Sequence, residues 1–452
     1  VIFARHALLP SGWVTDARIG LSGGRIDWVT PGSAAVADDI RVGALLPALS
    51  NLHSHSFQRA MAGMTEHRAA GRDNFWTWRE LMYRFLDRLT PDQVEAIAAL
   101  VFLEMQEAGF AAVGEFHYLH HQPGGAPYDD PAELSRRIFA AAGATGIGLT
   151  HLPVLYSYGG AGKQQLSGGQ CRFGTSAADF PRLLDAIRTA ARSLPEDTRV
   201  GVAPHSLRAT SPEDLALVVP LAQGAPVHIH AAEQPKEVAD VTAWLGARPV
   251  EWLLGNTPVG TGWCTIHTTH MTAAETEALA RSGAVAGLCP ITEGNLGDGI
   301  FNGPGWLAAG GAFGVGSDSN VRIALGEELR ALEYSQRLRD LARNVMVRGD
   351  GSVGAALYTG AATGGAAALS RDSGAIAPGR LADLVAVDPE HPALCALRPD
   401  QLLDGLVFAA PGSIVTDLWS AGRHQVRDGR HISRDAIIAR YRRAVAGLVA
   451  SI

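Results

Sequence analysis

The chain has 452 residues, 47% of them hydrophobic and 18% charged, which fits one large folded domain with a smaller companion and excludes a disordered or fibrous chain. A net charge of −7 without a basic tract argues against a nucleic-acid partner, and an anionic ligand would need particular arginines to overcome the overall field. No run reaches membrane-spanning length, no signal peptide is read, and Cys171, Cys264, Cys289 and Cys395 form no CxxC knuckle or disulfide framework; a cytoplasmic protein with no membrane partner is expected.

Residues 1 to about 46 carry short alternating runs and turns such as SGG, the pattern of antiparallel β structure. Eight short apolar runs follow, from GALLPALSNLHSH and AAVGEFHY through RVGVAPHSLRA and PVHIHAAEQ to FGVGSDSN. Amphipathic runs separate them. In PDQVEAIAALVFLEMQEAG, Val94, Ile97, Ala98, Val101, Met105 and Ala108 share one helical face. TAAETEALARSG opens on the capping pair Thr272 and Glu275 and closes on Gly283. The alternation predicts an α/β fold, a (β/α)8 TIM barrel over 47–373. Residues 374–430 return to the β pattern and are expected to join 1–46 in a small β-sandwich, with a C-terminal helix over 431–452.

In such a barrel chemistry sits at the C-terminal ends of the strands, and these ends are polar. His53 and His55, two apart on a strand, point the same way and can reach one metal ion; His228 and His230 repeat the spacing. Glu115, His117 and Tyr118, then His205 and Arg208, Glu233, His267, His270 and Asp318 follow at later ends. A lone histidine is usually structural. A succession of them with carboxylates suits Zn²⁺ or a similar divalent ion with a position open for water.

HxH, HIHAAEQ, IHTTHMT and GVGSDSN at successive strand ends, with GAIAPGRLADLVAVD near the C-terminus, resemble the amidohydrolase superfamily over nearly the whole chain. The resemblance implies that His53, His55, His230 and Asp318 hold the metal. It makes Glu233 the proton-shuttling carboxylate and His267 the catalytic histidine, while Asp318 also takes the proton of the attacking water. Two-metal members carry a bridging lysine on the third or fourth strand; neither run here contains Lys, so one divalent ion is expected, Zn²⁺ first and Fe²⁺ second. NLHSHSFQRAMAG, NFWTWRELMYRF, EFHYLHH and TEGNLGDGIF resemble, more closely, the formimidoylglutamate deiminase family. That implies hydrolysis of N-formimidoyl-L-glutamate to N-formyl-L-glutamate and ammonia, a step of histidine degradation.

Arg208 and Arg79, with Gln58, Tyr118 and His205, are the candidate substrate contacts, and two arginines suit a dicarboxylate better than a flat ring. One departure from the family pattern is Asn320, where His is usual. TEGNLGDGIFNG reads as a Gly-rich substrate-covering loop, and His120 and His121 as exposed loop residues. A homodimer is the expected assembly. The competing readings are a deaminase of purine, pyrimidine or triazine rings, and a barrel that binds metal without turnover; the presence of both Glu233 and His267 counts against the second.

Overall fold

The structure, a computed structural model, describes residues 1–67, 75–411 and 414–449. Residues 450–452 of the expected terminal helix lie outside the described residues; the helix itself runs Arg434–Val449. The chain opens with strands β1 (Ile2–Leu9), β2 (Gly12–Ser22), β3 (Arg25–Thr30) and β4 (Ile40–Pro47). A parallel series follows: β5 (Leu49–Ser54), β6 (Phe110–His117), β7 (Gly148–Leu155), β8 (Arg199–Val200), β9 (Ala203–Pro204), β10 (Val227–Ala231), β11 (Trp263–His267), β12 (Val285–Leu288) and β13 (Ala312–Val315). The chain returns through β14 (Leu384–Val387), β15 (Val415–Ser420), β16 (Arg423–Arg427) and β17 (Arg430–His431).

Both chain ends build one sheet, in the order β17-β16-β15-β14-β4-β1-β2-β3. The sequence pattern suggested two packed sheets; the strands form a continuous one that coils onto itself. Its far edge comes back to 380–382: the Ile26 N–H donates to Arg380 O at 2.9 Å and the Ala382 N–H to Gly24 O at 2.9 Å. Ile2, Ile19, Leu45, Leu384 and Trp419 fill the small core this encloses.

The parallel strands form two sheets, β5 to β8 and β10 to β13, with β9 paired to β7. Parallel bridges connect their margins, Ser206 with His230 and Val202 with Val227 on one side, Ser54 with Asp318 on the other. Leu52, Ala112 and Ile266 from three of these strands meet Leu369 in one buried cluster. The fourth run of the sequence is broken into β8 and β9. Gly201 sits at the break, where a Cβ would stand 2.5 Å from Pro226 O, and Pro204 has no N–H to extend the ladder.

Helices follow the expected runs. Pro91–Ala108 starts at the Thr90 cap and stops at Gly109 (φ 105°); Thr272 and Glu275 form the reciprocal capping box of Ala273–Ser282. Two expectations fail locally. The run read as a Gly-rich loop, 292–303, is helical in its first part, as the end of the helix Pro290–Leu296, because Pro290 suits a first helical turn and Gly297 (φ 70°) provides the left-handed stop; 297–302 is loop. His120 is buried, with Nε2 2.8 Å from Val154 O, and His121 is part-buried against Gly174 O; the N–H groups of both donate to Arg172 O, which ties them under that segment. Among the described residues no helix is long and apolar enough to cross a membrane.

Candidate active site

β5 ends at Ser54, and His55 precedes the short turn Ser56–Met61. His53 and His55 converge on one point. Ser54 between them accepts from Asn320 Nδ2 at 3.2 Å. His230 on β10 brings its Nε2 to 3.1 Å from His53 Nε2. The ligand-type atoms of His53, His55 and His230 lie within 4.8 Å of one another. Asp318 Oδ1 stands 3.4 Å from His55 Nε2 and 3.6 Å from His53 Nε2.

Two of these imidazoles are held in one tautomer. His55 Nδ1 lies 3.0 Å from Phe116 O, and His230 Nδ1 3.1 Å from His205 O. A carbonyl only accepts, so each Nδ1 carries the hydrogen and each Nε2 turns a lone pair toward the centre. Burial lowers the pKa of His55 to about 4 and holds His53 and His230 well below the ordinary value. Burial, reinforced by Glu233 and Glu293 and opposed by His267, pushes Asp318 up to about 7. Three neutral nitrogen donors beside a carboxylate short of positive charge fit a divalent cation.

The strand ends are sharply turned. His267 (φ 67°), Thr268 (49°), Ala232 (51°), Asp318 (44°) and Asn320 (55°) all adopt left-handed backbone, at a cost of roughly 1–2 kcal/mol for a non-glycine residue. The turn at Asp318 is tied to β5: its N–H donates to His53 O at 3.0 Å, and its carbonyl accepts from the His55 N–H at 2.9 Å. A Cβ at Gly316 would stand 2.7 Å from His53 N and O, so only glycine permits this approach. Asn320 is spent on the same tie. Its Oδ1 accepts from Ser317 Oγ at 2.6 Å and its Nδ2 donates to Ser54 Oγ and Asp318 O, which places it behind the metal-type residues instead of in the cavity.

His267 faces three carboxylates. Its Nδ1 is 3.2 Å from Glu293 Oε1; its Nε2 is 3.8 Å from Glu233 Oε1 and 3.9 Å from Asp318 Oδ2. Burial alone would depress its pKa, but these carboxylates outweigh it and lift the imidazole to about 10. Glu293 Oε1 also accepts from the Cys289 N–H at 2.9 Å. His267, Cys289 and Glu293 bring ligand-type atoms within 4.8 Å of one another, and these two hydrogen bonds account for that proximity.

Of the residues expected to hold metal, act on the proton or contact substrate, all but His53 line one cavity of about 1090 Å³, open to solvent. His55, His230, His267 and Asp318 form its floor. Gln58 and Tyr118 form part of the wall: Gln58 Nε2 donates to Tyr118 Oη at 2.8 Å, and the buried Gln58 Oε1 has no hydrogen-bond partner. His205 packs its ring 4.6 Å from that of Tyr156. Arg79, on the helix Phe75–Leu86, holds its guanidinium 5.5 Å from the Tyr83 ring. Arg208 is placed less simply than expected. Its Nη2 donates to Glu233 Oε2 at 2.6 Å, and its Nε lies 3.9 Å from Glu237 Oε2.

Reading the sequence missed Glu293 and Glu237. Glu237 is fully buried, and its two oxygens accept from the Ala232 and Glu233 N–H groups at 3.1 and 2.9 Å. The one available signal was its place in the first turn of the helix Pro235–Leu245, where carboxylates serve exposed N–H groups. Glu293 falls in the run read as a substrate-covering loop, which gives no sign of its contact with His267. The outlying histidines are accounted for: His228 Nε2 meets Ala368 O at 2.7 Å, and His270 Nε2 meets Asp298 O at 2.7 Å.

The amidohydrolase family model matches residues 44–424, so the chain belongs to the amidohydrolase family. Residues 1–43 match the model of the formimidoylglutamate deiminase HutF N-terminal domain. The chain is 49% identical over 439 residues to the formimidoylglutamate deiminase of Pseudomonas aeruginosa, covering 96% of each chain. It is 27% identical to the 5-methylthioadenosine/S-adenosylhomocysteine deaminase of Natronomonas pharaonis, over 86% of this chain and 81% of that one. An amidohydrolase crystal structure from Brucella melitensis superposes with a TM-score of 0.96 at 48% identity, covering 99% of both chains. A zinc-bound adenosine deaminase from Xanthomonas campestris, at 22% identity and a TM-score of 0.81 over 99% of this chain and 98% of that one, shares the fold.

Proposed function

We propose that the chain is a cytoplasmic deiminase that hydrolyses N-formimidoyl-L-glutamate to N-formyl-L-glutamate and ammonia. The two joined parallel sheets are read as a (β/α)8 barrel over 47–373 that carries the site. The observation that carries the reading is the shared cavity, in which a metal-type floor faces a wall bearing Arg208 and Arg79. A formamidine joined to a dicarboxylate needs both, whereas a purine or pyrimidine ring has no anionic group for two guanidiniums. The relationship to the Pseudomonas aeruginosa deiminase points the same way.

His53, His55, His230 and Asp318 would hold one divalent cation, Zn²⁺ ahead of Fe²⁺. When bound, it supplies Lewis acidity that brings the pKa of a water toward ~7. Asp318 takes the proton of the attacking water. His267, kept in place by Glu293, donates from Nε2 to the oxygen adding to the formimidoyl carbon. Glu233 carries a proton to the departing nitrogen. Gln58 Oε1, an acceptor with no partner, receives an N–H of the formamidine, and Arg208 and Arg79 receive the carboxylates.

The test compares ammonia release from N-formimidoyl-L-glutamate, guanine, cytosine and S-adenosylhomocysteine by the metal-loaded protein. Formimidoylglutamate is expected to turn over fastest, and faster turnover of any ring substrate rejects the reading. Glu233→Gln should keep its metal and lose on the order of 10²–10⁴-fold in turnover.

A further inference from the structure

We propose that the Arg208–Glu233 ion pair is an exchange pair, opened by a substrate that carries both an anionic and a cationic end and by neither end alone. The proposal rests on the deimination reading above. Its starting point is a conflict of roles: the guanidinium suited to a substrate carboxylate is bonded at 2.6 Å to the carboxylate suited to carry the proton.

The charges around Arg208 set the condition for opening. One guanidinium faces two carboxylates, Glu233 at 2.6 Å and Glu237 at 3.9 Å, so the trio is net negative and a third carboxylate is repelled unless one of them leaves. Glu237 is fixed, because the Ala232 and Glu233 N–H groups occupy both its oxygens. Glu233 is the movable partner. Its Oε2 is on Arg208, while its Oε1 faces His267 Nε2 at 3.8 Å, beyond hydrogen-bond length. The side chain therefore already spans the distance from the wall to the floor, where a formimidoyl group has to lie.

A formamidine is protonated at neutral pH. It presents a planar N–C–N cation, the same donor pattern that Arg208 offers Glu233. Glu233 can therefore trade one planar cation for another, while Arg208 takes the substrate carboxylate. One internal ion pair becomes two pairs with the substrate, and no buried charge is left alone. A ligand with only a carboxylate would leave Glu233 to His267 at 3.8 Å, and one with only an amidinium would leave Arg208 to Glu237 at 3.9 Å; either gives up the 2.6 Å contact with nothing of equal length to replace it. After exchange Glu233 lies on the nitrogen that departs. The balance is simple: the amidinium and one water give the formamide and ammonium. The C–N bond breaks, a C=O bond forms, and both water hydrogens finish on the leaving nitrogen with no oxidation or reduction.

The experiment splits the substrate into its two ends. Ammonia release from formamidine by the metal-loaded wild type is measured with and without glutarate. Exchange predicts that glutarate raises kcat/KM for formamidine by roughly 5- to 150-fold, the usual range of coupling between two ligands. In Arg208→Gln, formamidine alone should turn over faster than in wild type, and glutarate should give no further rise. A glutarate effect that is absent or inhibitory overturns the proposal, as does an Arg208→Gln rate on formamidine at or below wild type. The wild-type arm decides alone if the variant fails to fold. Should wild type leave N-formimidoyl-L-glutamate intact, the deimination reading itself falls; should it hydrolyse that substrate without the glutarate response, only the exchange falls.

Discussion

His55 and His230 are held by backbone carbonyls, of Phe116 on β6 and of His205 just past β9, whereas Gln58 and Arg208 are held by other side chains. The floor of the cavity thus inherits the rigidity of the parallel strands, and its donors point inward whether or not a ligand is present. The wall depends on partners that a ligand can replace. The division suits a chemical centre that must stay fixed and a recognition surface that must adapt its charges.

Three substitutions, ordered by their effect on turnover, test this contrast. His230→Ala removes a donor from the floor. Metal content should fall sharply and turnover by more than ~100-fold, beyond the effect of losing a partner behind a ligand, as measured by elemental analysis and ammonia release. Full metal content with normal turnover would show that the floor is less fixed than the strand geometry implies. Glu293→Gln removes charge behind His267 but keeps a hydrogen-bond acceptor. Here kcat should fall by roughly 10–100-fold with metal retained and KM little changed. A wild-type kcat would mean that the turn after β11 orients His267 unaided.

The mildest effect on turnover is expected far from the cavity. Arg371, buried between the terminal sheet and the parallel strands, bonds Asp383 and donates to Asp197 Oδ2 at 2.9 Å, and Arg423 joins the same Asp197. Arg371→Met should cost about 3–5 kcal/mol of stability, because it leaves the buried Asp383 without a cation and Asp197 with Arg423 alone, with turnover per folded molecule unchanged. Burial raises the Asp197 pKa, but Arg423 and Arg371 outweigh it and hold the carboxyl below its ordinary value. A depressed folded-state pKa adds stability that is present above the unfolded value, near ~3.9, and lost as pH falls through the folded one. Urea unfolding should therefore show the gap between wild type and Arg371→Met narrowing below about pH 4. A gap that stays constant would assign the loss to packing.

The residues that were legible in the sequence share a feature. His53, His55, His230, His267 and Asp318 sit on or just after strands, where a two-residue period and the order of the runs determine which side chains face inward. The helix start at Thr272 was legible because capping is local chemistry. Glu293 and Glu237 were not, since each is defined by what it accepts from, and those N–H groups come from turns that no periodicity describes. The helix Pro290–Leu296 was hidden by Gly294 and the glycines that follow it, which read as a loop until Gly297 is seen to end a helix.

By itself, the sequence determined the strand and helix alternation, the inward set of metal-type side chains and the presence of two arginines suited to carboxylates, because periodicity and side-chain chemistry are local properties. The tertiary structure alone decided the partners. It curled both chain ends into a single sheet, tied Asn320 behind the floor, and set Glu233 and Arg208 against each other at 2.6 Å. Pairing between residues far apart in the chain depends on which buried charges the packing brings within a few ångströms, and that is settled only when every strand has found its neighbour.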